Sequence, residues 1–224
     1  MNKKLWIFIS LALSFIGITI LLPPISQSQS YHNFADTRSY LGIANFNNVL
    51  SNLPILLVGV YGLFKKRGGL WKIFFTGAIL TGIFSGFYHL EPDDFRLAFD
   101  RMAMALVFMS FLAILMDERI GHSFIVVLLM LGIASVWYWA ATGDVRFYGL
   151  VQFGAYALIL ALILLFPKEN QISLYTAIAF LAMSKLAELY DKEIYVLLHQ
   201  TISGHTLKHL FSAAALLVLA KSQK

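Results

Sequence analysis

Five polar residues in otherwise apolar stretches of this 224-residue chain carry side chains suited to metal chemistry. Ser85 and His89 are four residues apart near the end of one apolar segment, and Asp100 lies early in the next. Far along the chain, His205 and His209 are again four residues apart. Residues four apart share one face of a helix, so each pair presents two side chains to one neighbour. Because polar, ionisable groups at membrane depth are costly, they indicate a functional site.

Three histidines and a carboxylate suit a zinc ion, which prefers tetrahedral nitrogen and oxygen ligands and keeps one position open in catalytic sites. We predict that His89, His205 and His209 bind the ion. Water bound there would be acidified and become a nucleophile. Asp100 would accept or orient its proton, and Ser85 would donate a hydrogen bond to a developing oxyanion. The chain contains no cysteine, which excludes disulfides and thiolate ligands.

The same residues have less specific interpretations, which their spacing leaves open. Two histidines four apart arise by chance, and these could be interfacial residues bonded to carbonyls or lipid headgroups. Ser85 could bond to the backbone of its own helix. Asp100 could form a surface ion pair with Arg96. Beside a metal, Asp100 could act as a base, as a direct ligand or as the partner of a ligand histidine.

The elements that position these residues are transmembrane helices, because the composition is that of a polytopic membrane protein. Hydrophobic residues make up 59% of the chain and charged residues 13%, with a mean hydropathy of +0.74. The net charge of +5 lies mostly between apolar segments, so topology explains it and we expect no nucleic-acid partner. Each segment is close to the ~20 residues that span a bilayer. We place eight segments near residues 5–23, 46–64, 70–90, 95–116, 122–142, 147–167, 172–190 and 201–221.

The segments predict an all-α membrane protein with a seven-helix core and one additional helix before it. Residues 1–24 form an N-terminal transmembrane helix or uncleaved signal anchor, since the apolar run is long for a signal peptide and lacks a clear cleavage site. Residues 25–44 form a polar extracytoplasmic connection, and residues 45–224 form the seven-helix domain. We expect Lys185, Glu188, Asp191, Lys192 and Glu193 to be a solvated helix end, and Trp137, Tyr138 and Trp139 to form an outer aromatic belt.

The distribution of lysine and arginine predicts the orientation of the helices. With the N-terminus inside, the basic residues of the cytoplasmic side are Lys3, Lys4, Lys65, Lys66, Arg67, Lys72, Arg119, Lys168, Lys221 and Lys224. Those of the opposite side are Arg38, Arg96, Arg146 and Lys192. Both termini are then cytoplasmic, and all five candidate residues lie near the extracytoplasmic ends of their segments. We expect the location to be the inner or cell membrane of a bacterium, with the site facing outward.

These motifs resemble those of the alkaline ceramidase family, within a superfamily that includes the progestin and adipoQ receptors. The shared pattern is S-x-x-x-H, then an aspartate, then a distant H-x-x-x-H, here Ser85, His89, Asp100, His205 and His209. The interval between the first histidine and the aspartate is also similar. The stretch I-A-N-F-N-N-V-L-S-N at residues 43–52 resembles the stretch that leads into the family's first core helix. The resemblance covers residues 36–221 in order and is specific at these motifs.

The resemblance implies zinc bound by the three histidines, with Ser85 and Asp100 attending the water and the oxyanion. The implied reaction is hydrolysis of the ceramide amide to a sphingoid base and a fatty acid, with an N-acyl amino lipid as the alternative substrate. A receptor or signalling protein with a structural zinc is the alternative function. Animal members carry an acidic, calcium-binding stretch before the first core helix. Here only Asp36 remains acidic and Asn45 stands at the acidic position near its end, which argues against calcium.

Overall fold

The computed structural model of the protein describes residues 3–66 and 68–222, and these fold into helices without a β-sheet. The all-α prediction is confirmed. The helices are α1 (Lys3–Leu21), α2 (Phe46–Leu50), α3 (Leu53–Lys65), α4 (Gly69–Leu90), α5 (Asp94–Ile120), α6 (Ile125–Thr142), α7 (Arg146–Gly149), α8 (Ala155–Leu165), α9 (Ile172–Leu189), α10 (Asp191–Leu197) and α11 (Gly204–Lys221). Arg67 and Lys224, which entered the charge count, lie outside the described residues.

Seven helical spans of the described chain are long and apolar enough to cross a membrane. They are α1, α2 with α3, α4, α5, α6, α7 with α8, and α9, and they coincide with the first seven predicted segments. The eighth segment forms α11, which is not among the seven and carries Lys208 between two histidines in its first two turns. The helices therefore fit a multi-pass membrane protein, and the number of crossings stays a prediction.

Side chains that bond to the backbone divide the second segment into α2 and α3. The Ser51 hydroxyl and the Asn52 amide both donate to the carbonyl of Asn48, at 3.0 and 2.8 Å, in place of bonds that would continue the helix. Pro54, at the start of α3, has no N–H for the carbonyl four residues earlier. Asn48, Ser51 and Asn52 are all buried at this break.

The main apolar core lies between α3, α4, α5, α8, α9 and α11. Its largest fully buried side chains are Phe74, Phe75, Leu112, Ile114, Leu115, Leu162 and Ile163. Two glycines bring α3 and α4 into close contact. A Cβ atom at Gly59 would lie 2.8 Å from the backbone nitrogen of Ile79, and one at Gly82 would lie 2.7 Å from that of Leu56. Membrane helices commonly pack through small residues in this way.

The N-terminal helix α1 lies on the outside of this bundle. Only 11% of its apolar window is buried, against 67% for α5. The end of α1 is held at the α6–α7 junction, where the backbone N–H of Ile25 donates to Asp144 at 3.2 Å and Arg146 donates to the carbonyl of Leu22. Arg146 also bonds to Asp144 at 2.7 Å, and this contact lowers the pKa of the Asp144 carboxyl to about 2.

Candidate metal centre

The three predicted histidines meet, although they lie on two helices. His89 comes from the last turn of α4, and His205 and His209 come from the first two turns of α11. Their ring centroids are 4.8 to 5.0 Å apart, and one ring nitrogen of each lies within 4.8 Å of the others. All three side chains are buried. The predicted convergence of the two motifs is confirmed.

The donor set fits a divalent metal ion. Two nitrogens bound tetrahedrally to one zinc ion at about 2.1 Å lie roughly 3.4 Å apart, and Nε2 of His89 lies 3.2 Å from Nε2 of His205. Lone pairs that face one another at this distance repel unless a proton or a cation lies between them. Imidazole ligands suit zinc and several other transition metals. The three histidines can therefore hold a metal ion and leave a tetrahedral ion one open position.

Ser51 fixes the tautomer of His209. Its hydroxyl donates to the carbonyl of Asn48 at 3.0 Å and lies 2.7 Å from Nδ1 of His209. A hydroxyl has one hydrogen to donate, so Ser51 accepts the second bond from a protonated Nδ1. The proton of the neutral ring is then on Nδ1, and Nε2 of His209 presents a lone pair. Such a second bond commonly orients a histidine ligand and sets its tautomer.

A close helix contact places His205. A Cβ atom at Gly204 would lie 2.2 Å from the carbonyl oxygen of Ala187 on α9, so α11 can begin here only with glycine. The backbone N–H of His205 donates to the Asp191 carboxylate at 2.7 Å, and Ser203 caps the helix by accepting from the next N–H. A carboxylate at a helix N-terminus is favourable, because it bonds to free N–H groups and complements the helix dipole.

The segment before α2 covers the histidines. Phe34 is buried, and its ring centroid lies 4.6 Å from that of His89 and 4.5 Å from that of His205. Asn45 donates to the carbonyl of His89 at 2.9 Å and holds the end of α4. Residues 25–44, predicted as a connection, thus form part of the wall of the candidate site.

Asp36 anchors this covering segment. Its carboxylate accepts bonds from Arg38 at 2.8 and 2.7 Å and from Asn47 at 2.8 Å. Burial of Asp36 raises its pKa, but these hydrogen bonds outweigh that effect and hold the pKa below its usual range. The carbonyl of Asp36 accepts from Asn48, whose own side-chain oxygen accepts from Thr206 on α11 at 3.1 Å. The covering segment, α2 and α11 are thereby joined in one hydrogen-bond network.

Ser85 lies on α4 one turn before His89, and it is buried. Its hydroxyl makes no hydrogen bond with the described part of the chain. By contrast, Ser110 on α5 donates to the carbonyl of Leu106 at 2.5 Å. A bond from Ser85 to its own helix backbone was the structural alternative, and the structure does not contain it. The role of Ser85 as an oxyanion donor stays a prediction.

Asp100 is buried on α5, and its Oδ1 has no hydrogen-bond partner within residues 3–66 and 68–222. A surface ion pair between Asp100 and Arg96 is wrong, since Arg96 bonds to Glu91 and Asp93 instead. Asp100 is not among the donors that gather within 4.8 Å of one another, which are the three histidines. It lines a cavity of about 420 Å³ beside α5. Its catalytic role stays a prediction.

The polar cluster expected to be a solvated helix end divides in two. Lys185, Lys192 and Glu193 are exposed, as predicted. Glu188 is largely buried, where it bonds to Lys208 at 2.7 Å and also to Lys185. Asp191, the first residue of α10, is half-buried and accepts a hydrogen bond from the first turn of α11. The prediction of a solvated helix end is therefore wrong for Glu188 and Asp191. Both carboxylates belong to the surroundings of the histidines.

The expected aromatic belt is also only partly present. Trp137 and Tyr138 are exposed, with relative accessibilities of 66% and 39%. Trp139 is 3% exposed, and its ring lies 4.0 Å from the guanidinium carbon of Arg101. The belt assignment is wrong for Trp139, because consecutive helical residues point in different directions.

Comparison with known proteins gives no further assignment, since no protein-family model, curated protein or solved structure significantly matches the chain. The resemblance to alkaline ceramidases therefore depends on the five motif residues and on residues 43–52. Sequence reasoning missed Ser51, Phe34 and Asp191 as neighbours of the histidines. The polar run N-N-V-L-S-N inside an apolar segment was a signal for Ser51. Phe34 and Asp191 had none, because aromatic residues and acidic helix ends are common elsewhere.

Proposed function

We propose that the protein is a zinc-dependent hydrolase of lipid amides that resembles ceramidases and releases a fatty acid and an amine. The observation that carries this proposal is the buried group of His89, His205 and His209. Catalytic zinc sites keep an open position for water, whereas structural sites are usually closed by four protein ligands. Three histidine ligands would leave a tetrahedral ion one open position, which supports the catalytic alternative.

The side chains have distinct roles in this reaction. A bound zinc ion would polarise the amide carbonyl and make water more acidic. Asp100 would accept a proton from the attacking water, and its Oδ1, which has no partner in the described chain, is available for that bond. Ser85 donates a hydrogen bond to the carbonyl oxygen as negative charge develops there. The proton then passes from Asp100 to the leaving nitrogen, the C–N bond breaks, and the amine departs neutral.

The experiment combines metal analysis with product analysis. The purified protein should contain about one zinc ion per chain and should convert lipid amides, among them ceramide, to fatty acid in mass spectrometry. The triple variant His89→Ala, His205→Ala, His209→Ala should lose both properties. His122→Ala is the control, since His122 is exposed outside the site. Zinc that the triple variant retains would refute the site, and zinc in the wild type without turnover of any amide would favour the receptor alternative.

The orientation is part of the same proposal, since an outward site draws its substrate from the outer leaflet. We place residue 91 outside and residue 65 inside, and both are exposed. The chain has no cysteine, so single cysteines can be introduced as probes. In intact cells, an impermeant thiol reagent should label Glu91→Cys and leave Lys65→Cys unlabelled. The opposite pattern would place the histidines at the cytoplasmic face.

A further inference from the structure

A cavity of about 420 Å³ lies beside Asp100, between α1, α5 and the residues that join α7 to α8. Apolar side chains such as Phe15 and Ile18 of α1 and Met104 of α5 line one part of it. Asp100 and Arg101 lie at its wall on α5. An apolar wall next to charged groups suits an amphiphile, with its chain along α1 and its polar end at α5.

Arg101 is a buried cation that forms no salt bridge with a carboxylate of residues 3–66 and 68–222. It is 4% exposed, and its Nη2 donates to the side-chain oxygen of Gln27. Its Nε and Nη1 have no hydrogen-bond acceptor in the described chain. The ion pairs formed by the described residues do not include it. A buried charge is costly unless it is paired and hydrogen-bonded, so these donors indicate a ligand.

The other basic residues of the cavity wall are paired. Arg146 bonds to Asp144 at 2.7 Å, and Lys185 bonds to Glu188. Arg101 is therefore the basic residue of the cavity that lacks a carboxylate within the described chain. This contrast separates Arg101 from side chains that merely neutralise a neighbour.

Aromatic rings hold the guanidinium in place. Its carbon lies 4.0 Å from the ring centroid of Trp139, 4.7 Å from that of Tyr148 and 5.5 Å from that of Tyr31. Such contacts stabilise a desolvated cation. The rings orient the Arg101 guanidinium, but they provide no hydrogen-bond acceptor for its Nε and Nη1 atoms. A pre-oriented guanidinium with free N–H donors matches a carboxylate in both charge and geometry.

We propose that Arg101 binds the carboxylate of an N-acyl amino acid in this cavity, with the acyl chain along α1. The inference rests on the proposed amide hydrolysis and names its substrate class. Arg101 directly follows Asp100 on α5, and the carboxylate of an N-acyl amino acid lies close to its amide nitrogen. Because Asp100 and Arg101 both line this cavity, a carboxylate paired with Arg101 places the amide at the wall that carries Asp100. A neutral ceramide headgroup would offer no carboxylate to the Nε and Nη1 donors of Arg101.

The test measures binding to the full-length protein in detergent, with three single-chain probes. N-oleoylglycine carries the carboxylate beside an amide, N-oleoylethanolamine is its neutral counterpart, and oleate carries the carboxylate without an amide. The wild type should bind N-oleoylglycine about tenfold or more tightly than the neutral amide, because a hydrogen bond to a charged group is worth that much. Arg101→Gln should lose this preference and keep its affinity for the neutral amide. Arg96→Gln, on the exposed start of the same helix, should behave like the wild type.

Three outcomes overturn the proposal. A wild type that binds N-oleoylglycine and its neutral counterpart equally has no carboxylate site, whatever the variants do. An unchanged preference in Arg101→Gln places the carboxylate elsewhere. Tight, Arg101-dependent binding of oleate alone shows a site for the fatty-acid product. If Arg101→Gln does not fold, Arg101→Lys keeps the charge and should retain a preference for N-oleoylglycine that is weaker than that of the wild type.

The binding test is separate from the test of the reaction, because binding requires no turnover. A protein that prefers N-oleoylglycine through Arg101 but hydrolyses no amide would refute the proposed function and keep the carboxylate site. A protein that hydrolyses ceramide and shows no preference among the probes would keep the proposed function and refute the role of Arg101.

Discussion

The two halves of α4, α5 and α11 differ in what they bury. In one half of each helix, Phe74, Phe111 and Leu216 belong to the same apolar core. In the other half, the buried residues include Ser85, Tyr88 and His89 on α4, Leu97, Asp100 and Arg101 on α5, and His205, Thr206 and His209 on α11. The burial is similar, but several polar atoms of the second half lack partners in the described chain.

This difference shows how the fold maintains a costly polar region. Each unsatisfied buried polar group costs about 1–3 kcal/mol, so the polar halves would not assemble by themselves. The apolar halves pack without polar cost and fix the helix positions, and the hydrogen-bond network around Asn48 and Asp191 fixes the ends. Places where local rules are broken in this way are expected at functional sites.

The largest effect is expected from Gly204→Ala, which removes the close contact that starts the polar half of α11. The new Cβ would overlap the carbonyl oxygen of Ala187 at 2.2 Å, so α11 must shift and carry its two histidines away from His89. Overpacking of this kind costs about 1–3 kcal/mol or more. We expect loss of bound zinc in elemental analysis, with the helix content by circular dichroism retained.

The matched control for that variant is Gly86→Ala. Gly86 lies on α4 between Ser85 and His89, and a Cβ there would meet nothing within 4 Å. Zinc content should stay at the wild-type level. Equal zinc in both variants would contradict the idea that the α9–α11 contact places His205.

The next largest effect is expected on the rate of hydrolysis, with the bound zinc retained. Asp100→Asn and Ser85→Ala should keep near-normal zinc and fold, because neither side chain belongs to the three-histidine group. Loss of a general base costs about 10²–10⁴ in rate, and loss of one oxyanion donor about 10²–10³. The decrease should appear in kcat more than in KM, since both groups act in the transition state. Wild-type turnover in Asp100→Asn would reject its catalytic role, and loss of zinc would make Asp100 part of the metal site.

A smaller effect is expected for Ser51→Ala, which removes the acceptor for Nδ1 of His209 but no ligand. Loss of such an outer partner typically weakens metal affinity about 10–100-fold. Competition with a zinc chelator should reveal the difference. Ser110→Ala is the control from the apolar half, because Ser110 is also buried and its hydroxyl bonds only to its own helix backbone. Equal zinc affinity in the two variants would show that Ser51 does not orient His209.

The apolar helical segments and the convergence of the motifs could be predicted from the sequence for simple physical reasons. Apolar segments of bilayer length must form helices, because their backbone groups have no other partners in lipid. Because successive transmembrane helices run in opposite directions, the end of α4, the start of α5 and the start of α11 are expected at the same depth in the membrane. The histidines met as predicted because this argument requires only topology and helical spacing.

The rest of the site could not be predicted because it depends on tertiary contacts. Phe34 lies in a segment without regular periodicity, and its position over the histidines follows from Asp36 and Asn48, which anchor the segment. The short helix α10 and the cap at Asp191 depend on the approach of α11 to α9. Trp139 and Glu188 were misjudged because exposure cannot be deduced from residue type near helix ends.

The smallest effect concerns a second contrast, between two buried carboxylates. Asp100 has an unsatisfied oxygen, whereas Asp144 bonds to Arg146, and its pKa is lowered to about 2 from an ordinary value of ~3.9. A carboxylate with a depressed folded-state pKa stabilises the fold above its unfolded pKa, and this contribution is lost as the pH falls through the folded value. For Asp144 the contribution is therefore complete above pH ~4 and lost as the pH approaches ~2.

Asp144→Asn tests this contrast, because Asp144 ties the end of α1 to the α6–α7 junction without touching the histidines. At pH 6 the variant should unfold roughly 2–4 °C below the wild type, the shift that about 1 kcal/mol gives in a chain of this size. Its zinc content should be unchanged. The difference in unfolding temperature should shrink as the pH falls from ~4 toward ~2, because the wild type then loses the same charge. Asp117→Asn, at an exposed position near the end of α5, should show no such difference. A gap between wild type and Asp144→Asn that persists at low pH would mean that Asp144 acts through packing and not through its charge.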